Sequence, residues 1–178
     1  MSRPATIGLR ADEPEDAAAI REMHRLAFDG DAEAAIVDAV READAAVLSM
    51  VAVEDGGAGP VVAHVLYTRV MVAVEDGEDV SLLGLAPVAV LPAHQGRGIG
   101  TMLIEASLEQ LRAEGHPAVV VVGHPGYYPR FGFLPGSRWG LRWEMDVPDE
   151  VFMVAELSPG TLAGIQGTVR FRPEFAGV

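Results

Sequence analysis

Between Val80 and Val122 the chain carries a pattern that few folds accommodate. Val80 to Leu91 is apolar almost throughout, and a glycine-rich turn follows at Gln95 to Gly100. Ile99, Met102, Leu103, Ala106 and Leu111 then recur at helical spacing until Gly115-His116-Pro117, and Ala118 to Val122 is a second unbroken apolar run. Continuous apolar runs of this length read as strands covered on both faces. Two such strands joined through a helix form a parallel crossover unit. The Gly115 stop and Pro117 punctuate the helix end in the usual way.

The flanking sequence adds shorter elements. Thr6 to Arg10 reads as a strand, and Asp12, with Glu15 three positions on, as a helix cap. Ala17, Ile20, Met23 and Ala27 form the inward stripe of a first helix, leaving Glu22 and Arg25 in water. A second helix begins at Asp31, with Ala35, Ile36, Ala39 and Val40 as its stripe. Val47 to Val53 and Val61 to Val74 read as strands, separated by the turn residues Glu54-Asp55-Gly56-Gly57. The tail offers strands at Phe131 to Leu134, Gly140 to Met145, Val151 to Leu157 and Thr168 to Phe171. The expectation is a mixed α/β (α+β) fold. A central mixed sheet of six to seven strands is flanked by helices, with hairpins before and after one parallel strand–helix–strand unit. One domain over residues 1–178 is expected, its core at about 6–157 and an extension at 158–178.

Charge and residue usage remove several functions. Thirteen basic against 26 acidic residues give a formal charge of −13, which disfavours nucleic acids and anionic membranes as partners. All 13 basic residues are arginine, so a phosphate-loop lysine is impossible. The chain has no cysteine, which removes disulfides, thiol nucleophiles and cysteine-bound zinc; no metal is expected. Met1 to Ala11 holds no apolar run of signal-peptide length and no segment reaches membrane-span length, so a cytoplasmic protein is expected.

Gln95-Gly96-Arg97-Gly98-Ile99-Gly100 lies between the buried strand and the helix. Glycines there leave backbone N–H groups unobstructed, and the first helical turn adds unpaired donors and a positive dipole end. Such a concavity suits a pyrophosphate, with Arg97 as a direct charge. The alternative is a glycine-rich turn that only permits a tight bend. A dinucleotide fingerprint of the G-x-G-x-x-G kind is demoted, not eliminated, because counting from Gly96 puts Thr101 where the third glycine belongs; a Rossmann-type nucleotide enzyme stays as a third alternative.

The segment Leu85 to Gly100 resembles the acetyl-CoA signature of the GCN5-related N-acetyltransferases, whose R/Q-x-x-G-x-G/A core is matched by Gln95, Gly98 and Gly100. Tyr128-Pro129-Arg130-Phe131-Gly132-Phe133 is similar to that family's Y-x-x-x-G-F segment. The order of elements agrees from about Thr6 to Leu157, so the resemblance covers most of the chain. It implies an enzyme using acetyl-CoA as cosubstrate to acetylate a primary amine of a small molecule or peptide, by direct attack in a ternary complex, as a monomer or homodimer. The central strand would part from its parallel neighbour near Pro87, which cannot donate to a sheet ladder. Val88, Ala89 and Val90 would offer backbone groups to the pantetheine arm, the Val90 N–H acting as oxyanion donor. Gln95, Gly96, Arg97, Gly98, Ile99, Gly100 and Thr101 would hold the pyrophosphate. Tyr128 would protonate the departing thiolate, while Tyr127 and Phe131 pack.

The chain departs from the family pattern in two places. Val80 to Leu91 contains no carboxylate, the residue many relatives use there as general base. His64 and His124 are the remaining residues of suitable basicity, each also readable as a structural histidine. His24, His94 and His116 fit helix-surface or loop positions. The short Gly123-His124-Pro125-Gly126-Tyr127 segment also lacks the asparagine that many relatives place there. For the acceptor, the resemblance points to Glu33 on the second helix as a partner for a cationic amine, and to Trp139, Arg142 and Trp143 as the opposite wall. An exposed helix carboxylate and a packed tail are the plainer readings of these residues. The alternative function is a non-catalytic acyl-CoA-binding module of the same fold.

Overall fold

In the computed structural model, which describes residues 6–176, nine strands and three α-helices alternate: β1 (Gly8–Ala11), α1 (Ala17–Phe28), α2 (Ala32–Glu42), β2 (Ala46–Val53), β3 (Val61–Ala73), β4 (Val80–Val90), α3 (Ile99–Ala113), β5 (Ala118–Val122), β6 (Leu134–Pro135), β7 (Leu141–Trp143), β8 (Phe152–Glu156) and β9 (Gly167–Arg170). The mixed α/β architecture matches the sequence reading, but the strand count exceeds six to seven. The additional strands are short ones in the tail, with β6 only two residues long. Backbone contacts divide the described residues into two units, one of 6–67, 86–107 and 174–176, the other of Thr68–Leu85 and Leu108–Pro173.

In the first unit the strand order is β1-β2-β3-β4. β1 runs antiparallel to β2, pairing Gly8 with Val53 and Ala11 with Met50. Helices α1 and α2 bury Ile20, Met23, Ile36, Val37 and Val40 together with Val51, Val53, Leu66 and Ala89. Burying aliphatic side chains of this size contributes about 1.5–3 kcal/mol each. The inward face of α2 is Ala34, Ile36, Val37 and Val40, whereas Ala35 is exposed and Ala39 half-buried. The expected stripe was thus one residue out of phase, because alanines occupy both sides of this helix and do not mark its apolar face.

The cap of the first helix also differs from the expected Asp12–Glu15 pair. Glu13 precedes a 3-10 turn at Pro14–Asp16 that leads into α1, and its N–H donates to Asp16 Oδ2 at 2.8 Å. Arg10 pairs with the same carboxylate at 2.6 Å, and Arg41 pairs with Asp12. Asp12 is taken by a cation, so the capping role moves one residue along. The Arg10 guanidinium, by direct hydrogen bonding, holds the Asp16 carboxyl below its ordinary range.

In the second unit the order is β3-β4-β5-β8-β6, with β9 pairing both β3 and β7. β4 and β5 are parallel, with Leu83 opposite Val119 and Gly84 opposite Val120. The parallel register ends at that pair, whereas β4 continues to Val90. β8 lies antiparallel to β5 from Ala118–Glu156 to Val122–Phe152. The expected strand at Phe131 to Leu134 is replaced by a 3-10 turn at Tyr128–Phe131, with only Leu134–Pro135 pairing to β8. Pro129 favours the first turn of a helix, and Gly132, at φ +90°, ends it in the left-handed region. Residues of the expected extension join the sheet: Thr168, Val169 and Arg170 pair antiparallel with Ala73, Val72 and Met71. Gly177 and Val178, the end of that extension, and Met1 to Ala5 lie outside the described residues.

α3 begins at Ile99, directly after the glycine turn, and buries Ile99, Leu103, Ile104, Ser107, Leu108 and Leu111. Met102 and Ala106, expected inside, are half-buried at the margin of that face. Ser107 is accommodated in the apolar stripe because its hydroxyl meets the buried Tyr67 hydroxyl at 2.7 Å and donates to Ile104 O at 2.9 Å.

Candidate functional site

In the first unit the end of β4 and the start of α3 form one continuous feature. Leu91 donates its N–H to Val62 O of β3 at 2.9 Å. Neighbouring residues of a strand direct their hydrogen-bonding groups to opposite edges. The N–H and C=O of Val90 therefore face away from β3. The carbonyl so exposed is taken by Gln95, whose side-chain amide donates to Val90 O at 3.0 Å. The side chain of Gln95 thus ties the turn to the strand instead of reaching toward a ligand. Ala89 is buried, and Val88 and Val90 are half-buried.

The turn itself is shaped as a cradle. Gly96 and Gly98 adopt φ of +73° and +77°, and a Cβ built at either position meets nothing within 4 Å. Glycine is required there by backbone conformation, and the space beside it is open. Among the described residues, no backbone carbonyl accepts the N–H groups of Gly96, Arg97, Gly98, Ile99 or Gly100. Gln95, Gly96, Arg97 and Gly98 are exposed, Ile99 is buried beneath them, and Gly100 and Thr101 are half-buried. Arg97 forms no ion pair with a described residue. A run of free donors at a helix start beside an unpaired guanidinium is a site for a polyanion.

His64 lies on β3 and is fully buried. Its Nε2 is 2.9 Å from Ser49 Oγ and its Nδ1 is 2.9 Å from His24 Nε2. His24 is buried as well, not on the helix surface as its sequence position was read, and it stacks on Phe28 at 5.9 Å between ring centroids. Burial lowers the pKa of His24 to about 4, and burial followed by the adjacent His24 drives His64 well below its ordinary value. Both rings are neutral at pH 7. The Nδ1 of His24 has no partner among the described residues. An orphaned acceptor is better tolerated in a protein interior than an orphaned N–H. That favours the tautomers in which His24 donates to His64 and His64 donates to Ser49. Glu33, in the first turn of α2, is half-buried.

In the second unit Tyr128 opens the 3-10 turn that follows β5. The N–H groups of Tyr127 and Tyr128 donate to His124 O at 3.0 and 3.4 Å. The Tyr128 side chain is buried, edge-on to Tyr127 at 5.2 Å and to Phe133 at 5.7 Å. Tyr127 and Phe131 meet at 5.3 Å, and Arg130 sits 4.4 Å over the Tyr127 ring. Burial, with a smaller contribution from Tyr127, pushes the Tyr128 phenol up to about 12. His124 is exposed. Trp139 and Trp143 are half-buried against the core of this unit, and Trp143 meets Phe171 at 6.1 Å. Arg142 donates to Thr168 Oγ1 at 3.0 Å, and both residues line a cleft of about 670 Å³ with Met145.

One residue that shapes the setting of Tyr128 escaped the sequence reading. A Cβ on Gly123 would lie 2.4 Å from Cε2 of Tyr128. Glycine is therefore what lets the tyrosine ring lie on the backbone at the end of β5. Gly123→Ala should displace the Tyr128 ring while leaving the rest of the fold in place. A crystal structure of the variant checks this; an unmoved ring refutes it.

The described residues contain no cluster of three or more metal-ligating side chains and no helix long and apolar enough to cross a membrane. Comparison with known proteins gives a consistent family. A family model described as an acetyltransferase (GNAT) domain matches residues 9–136. The chain is 34% identical over 167 residues to the uncharacterized N-acetyltransferase YhbS of Escherichia coli K12, covering 94% of this chain and 97% of that protein. It is 40% identical over 160 residues to the uncharacterized N-acetyltransferase YjhQ of the same organism, covering 84% of each. The crystal structure of YhbS in complex with CoA superposes with a TM-score of 0.89 at 32% identity, covering 98% of this chain and 94% of that one. A GNAT family acetyltransferase from Brucella melitensis in complex with acetyl-CoA superposes with a TM-score of 0.77 at 36% identity, covering 96% and 98%.

Proposed function

Because the chain belongs to the GNAT acetyltransferase family, we propose that it binds acetyl-CoA and transfers the acetyl group to a primary amine of a small molecule or peptide. The observation that carries this reading is the cradle of free N–H groups from Gly96 to Gly100 beside Arg97. The complexes of similar proteins with CoA and acetyl-CoA support the identity of the polyanion.

In this reading Gly96, Arg97, Gly98, Ile99, Gly100 and Thr101 hold the pyrophosphate, and Gln95 locks the turn by its bond to Val90 O. Val88, Ala89 and Val90 run beside the pantetheine arm. The Val90 N–H, directed away from β3, donates to the thioester oxygen as negative charge grows there. A neutral amine attacks the thioester carbon, the new C–N bond forms and the C–S bond breaks. Tyr128, kept protonated by burial, donates to the departing sulfur, and the amine loses its surplus proton. Burial makes His64 a weak base, so that last role passes to the exposed His124 or to solvent. Glu33 supplies a carboxylate for a cationic acceptor.

The test is Gly98→Val. A Cβ there meets no protein atom within 4 Å, but valine is strained at the positive φ of this position and fills the open space where phosphate would sit. Calorimetry with coenzyme A should show affinity weakened about tenfold or more, with the circular dichroism spectrum retained. Unchanged affinity in a folded Gly98→Val protein refutes the cradle.

A further inference from the structure

We propose that Glu54, on the turn after β2, is a positioning residue for coenzyme A that acts through His94; the inference rests on the cradle reading above. His94 directly precedes the cradle, and its Nε2 lies 2.9 Å from Glu54 Oε1 although the two are 40 residues apart in sequence. Four of the cradle's residues, Gln95 to Gly98, are exposed, and the N–H groups of Gly96 to Gly100 bond to no backbone carbonyl of the described residues. Two side-chain contacts flank it at its entry, Gln95 to Val90 O and His94 to Glu54.

Glu54 is a firm anchor. Its N–H donates to Pro60 O at 3.1 Å, and its carbonyl accepts from Gly57 and Gly59 at 3.1 and 2.9 Å. The backbone at position 54 is therefore fixed by three hydrogen bonds at the β2–β3 turn. His94 is fixed in turn by its own N–H, which donates to Leu91 O at 2.8 Å. The imidazole transmits the rigidity of that turn to the residue before Gln95. Preorganisation of this kind lowers the ordering entropy that a ligand must otherwise overcome.

Simple charge reasoning gives the opposite expectation. A carboxylate close to an anion-binding turn repels phosphate, so its removal should tighten binding. A positioning role predicts weakening instead, which makes the sign of the effect decisive.

The experiment measures coenzyme A affinity by calorimetry, and kcat and the KM for acetyl-CoA in the acetyl-transfer assay, for Glu54→Ala and Glu54→Gln. Glu54→Ala should raise both Kd and KM about fivefold to tenfold, the weight of one hydrogen bond, with kcat and the melting temperature unchanged. Glu54→Gln keeps an oxygen that accepts from the imidazole and should restore affinity. His94→Ala should reproduce the loss, and the double variant should be no weaker than either single one. Unchanged or tighter binding in Glu54→Ala overturns the proposal, as does equal loss in the alanine and glutamine variants, or additive losses in the double variant. Gly98→Val separates the two readings. If it abolishes binding while Glu54→Ala does not, the tie is wrong and the cradle stands. If Gly98→Val binds normally while Glu54→Ala is weakened, the cradle is wrong and the tie has another ligand-facing partner.

Discussion

Tyr128→Phe is expected to lower kcat by about 10²–10⁴, the usual weight of a positioned general acid, with coenzyme A affinity and folding unchanged. The ring sits in an apolar nest of Tyr127, Phe133 and the bare backbone of Gly123, and phenylalanine fills the same space. What is lost is one O–H donor. The raised phenol pKa of about 12 constrains how that donor works. A phenol that holds its proton so tightly is a weaker acid than the thiol whose thiolate it faces. Donation therefore acts mainly by stabilising charge on the leaving sulfur, which places the effect toward the lower end of the range. The pH profile provides a second readout. Because the phenol stays protonated, the ratio of wild-type to variant kcat should be flat from pH 7 to 10. A ratio that collapses near pH 10 would indicate a phenol of ordinary acidity, and a variant with full kcat would remove Tyr128 from the chemistry.

How much of this was legible in the sequence depends on the range of the interaction. The strand–helix–strand unit was legible because β4, α3 and β5 are each specified by their own apolar pattern, and the cradle because its glycines lie in one short segment. The phase of α2 was not, since Ala32, Ala34, Ala35 and Ala39 dilute the contrast between its faces. The strand read at Phe131 to Leu134 begins too early, although Pro129 and Gly132 mark the turn that ends at Phe131. The burial of His24 was recoverable: it falls in the stripe of Ile20, Met23 and Ala27, at the i, i+3, i+4 and i+7 positions of α1. The contacts of Glu54 with His94 and of His24 with His64 each span 40 residues and depend on which turns and strands become neighbours. No local pattern encodes them.

The buried histidines predict a loss of stability in mild acid. In the unfolded chain His24 titrates near its ordinary value of 6.5, whereas in the folded protein burial lowers it to about 4. Below pH 6.5 the unfolded state therefore binds a proton that the folded state refuses, and stability falls as pH drops from about 6.5 toward 4. A shift of this size is worth about 3 kcal/mol when complete, of which about 2 kcal/mol is lost by pH 5. His64, shifted in the same direction, adds to the loss. The charged groups facing the pair give no compensation: Asp16 opposes the shift of His64 only weakly, and Arg41 reinforces it. Urea unfolding at pH 7 and pH 5 should show a drop of at least 2 kcal/mol. Asp16 contributes little over that interval, because its lowered carboxyl stays ionised. His24→Leu removes one of the two titrating rings and keeps an apolar side chain against Phe28, so its stability should fall less between the same two pH values. A wild-type protein equally stable at pH 5 and pH 7 would mean that the two rings accept protons in place, with water reaching them from the Ser49 side.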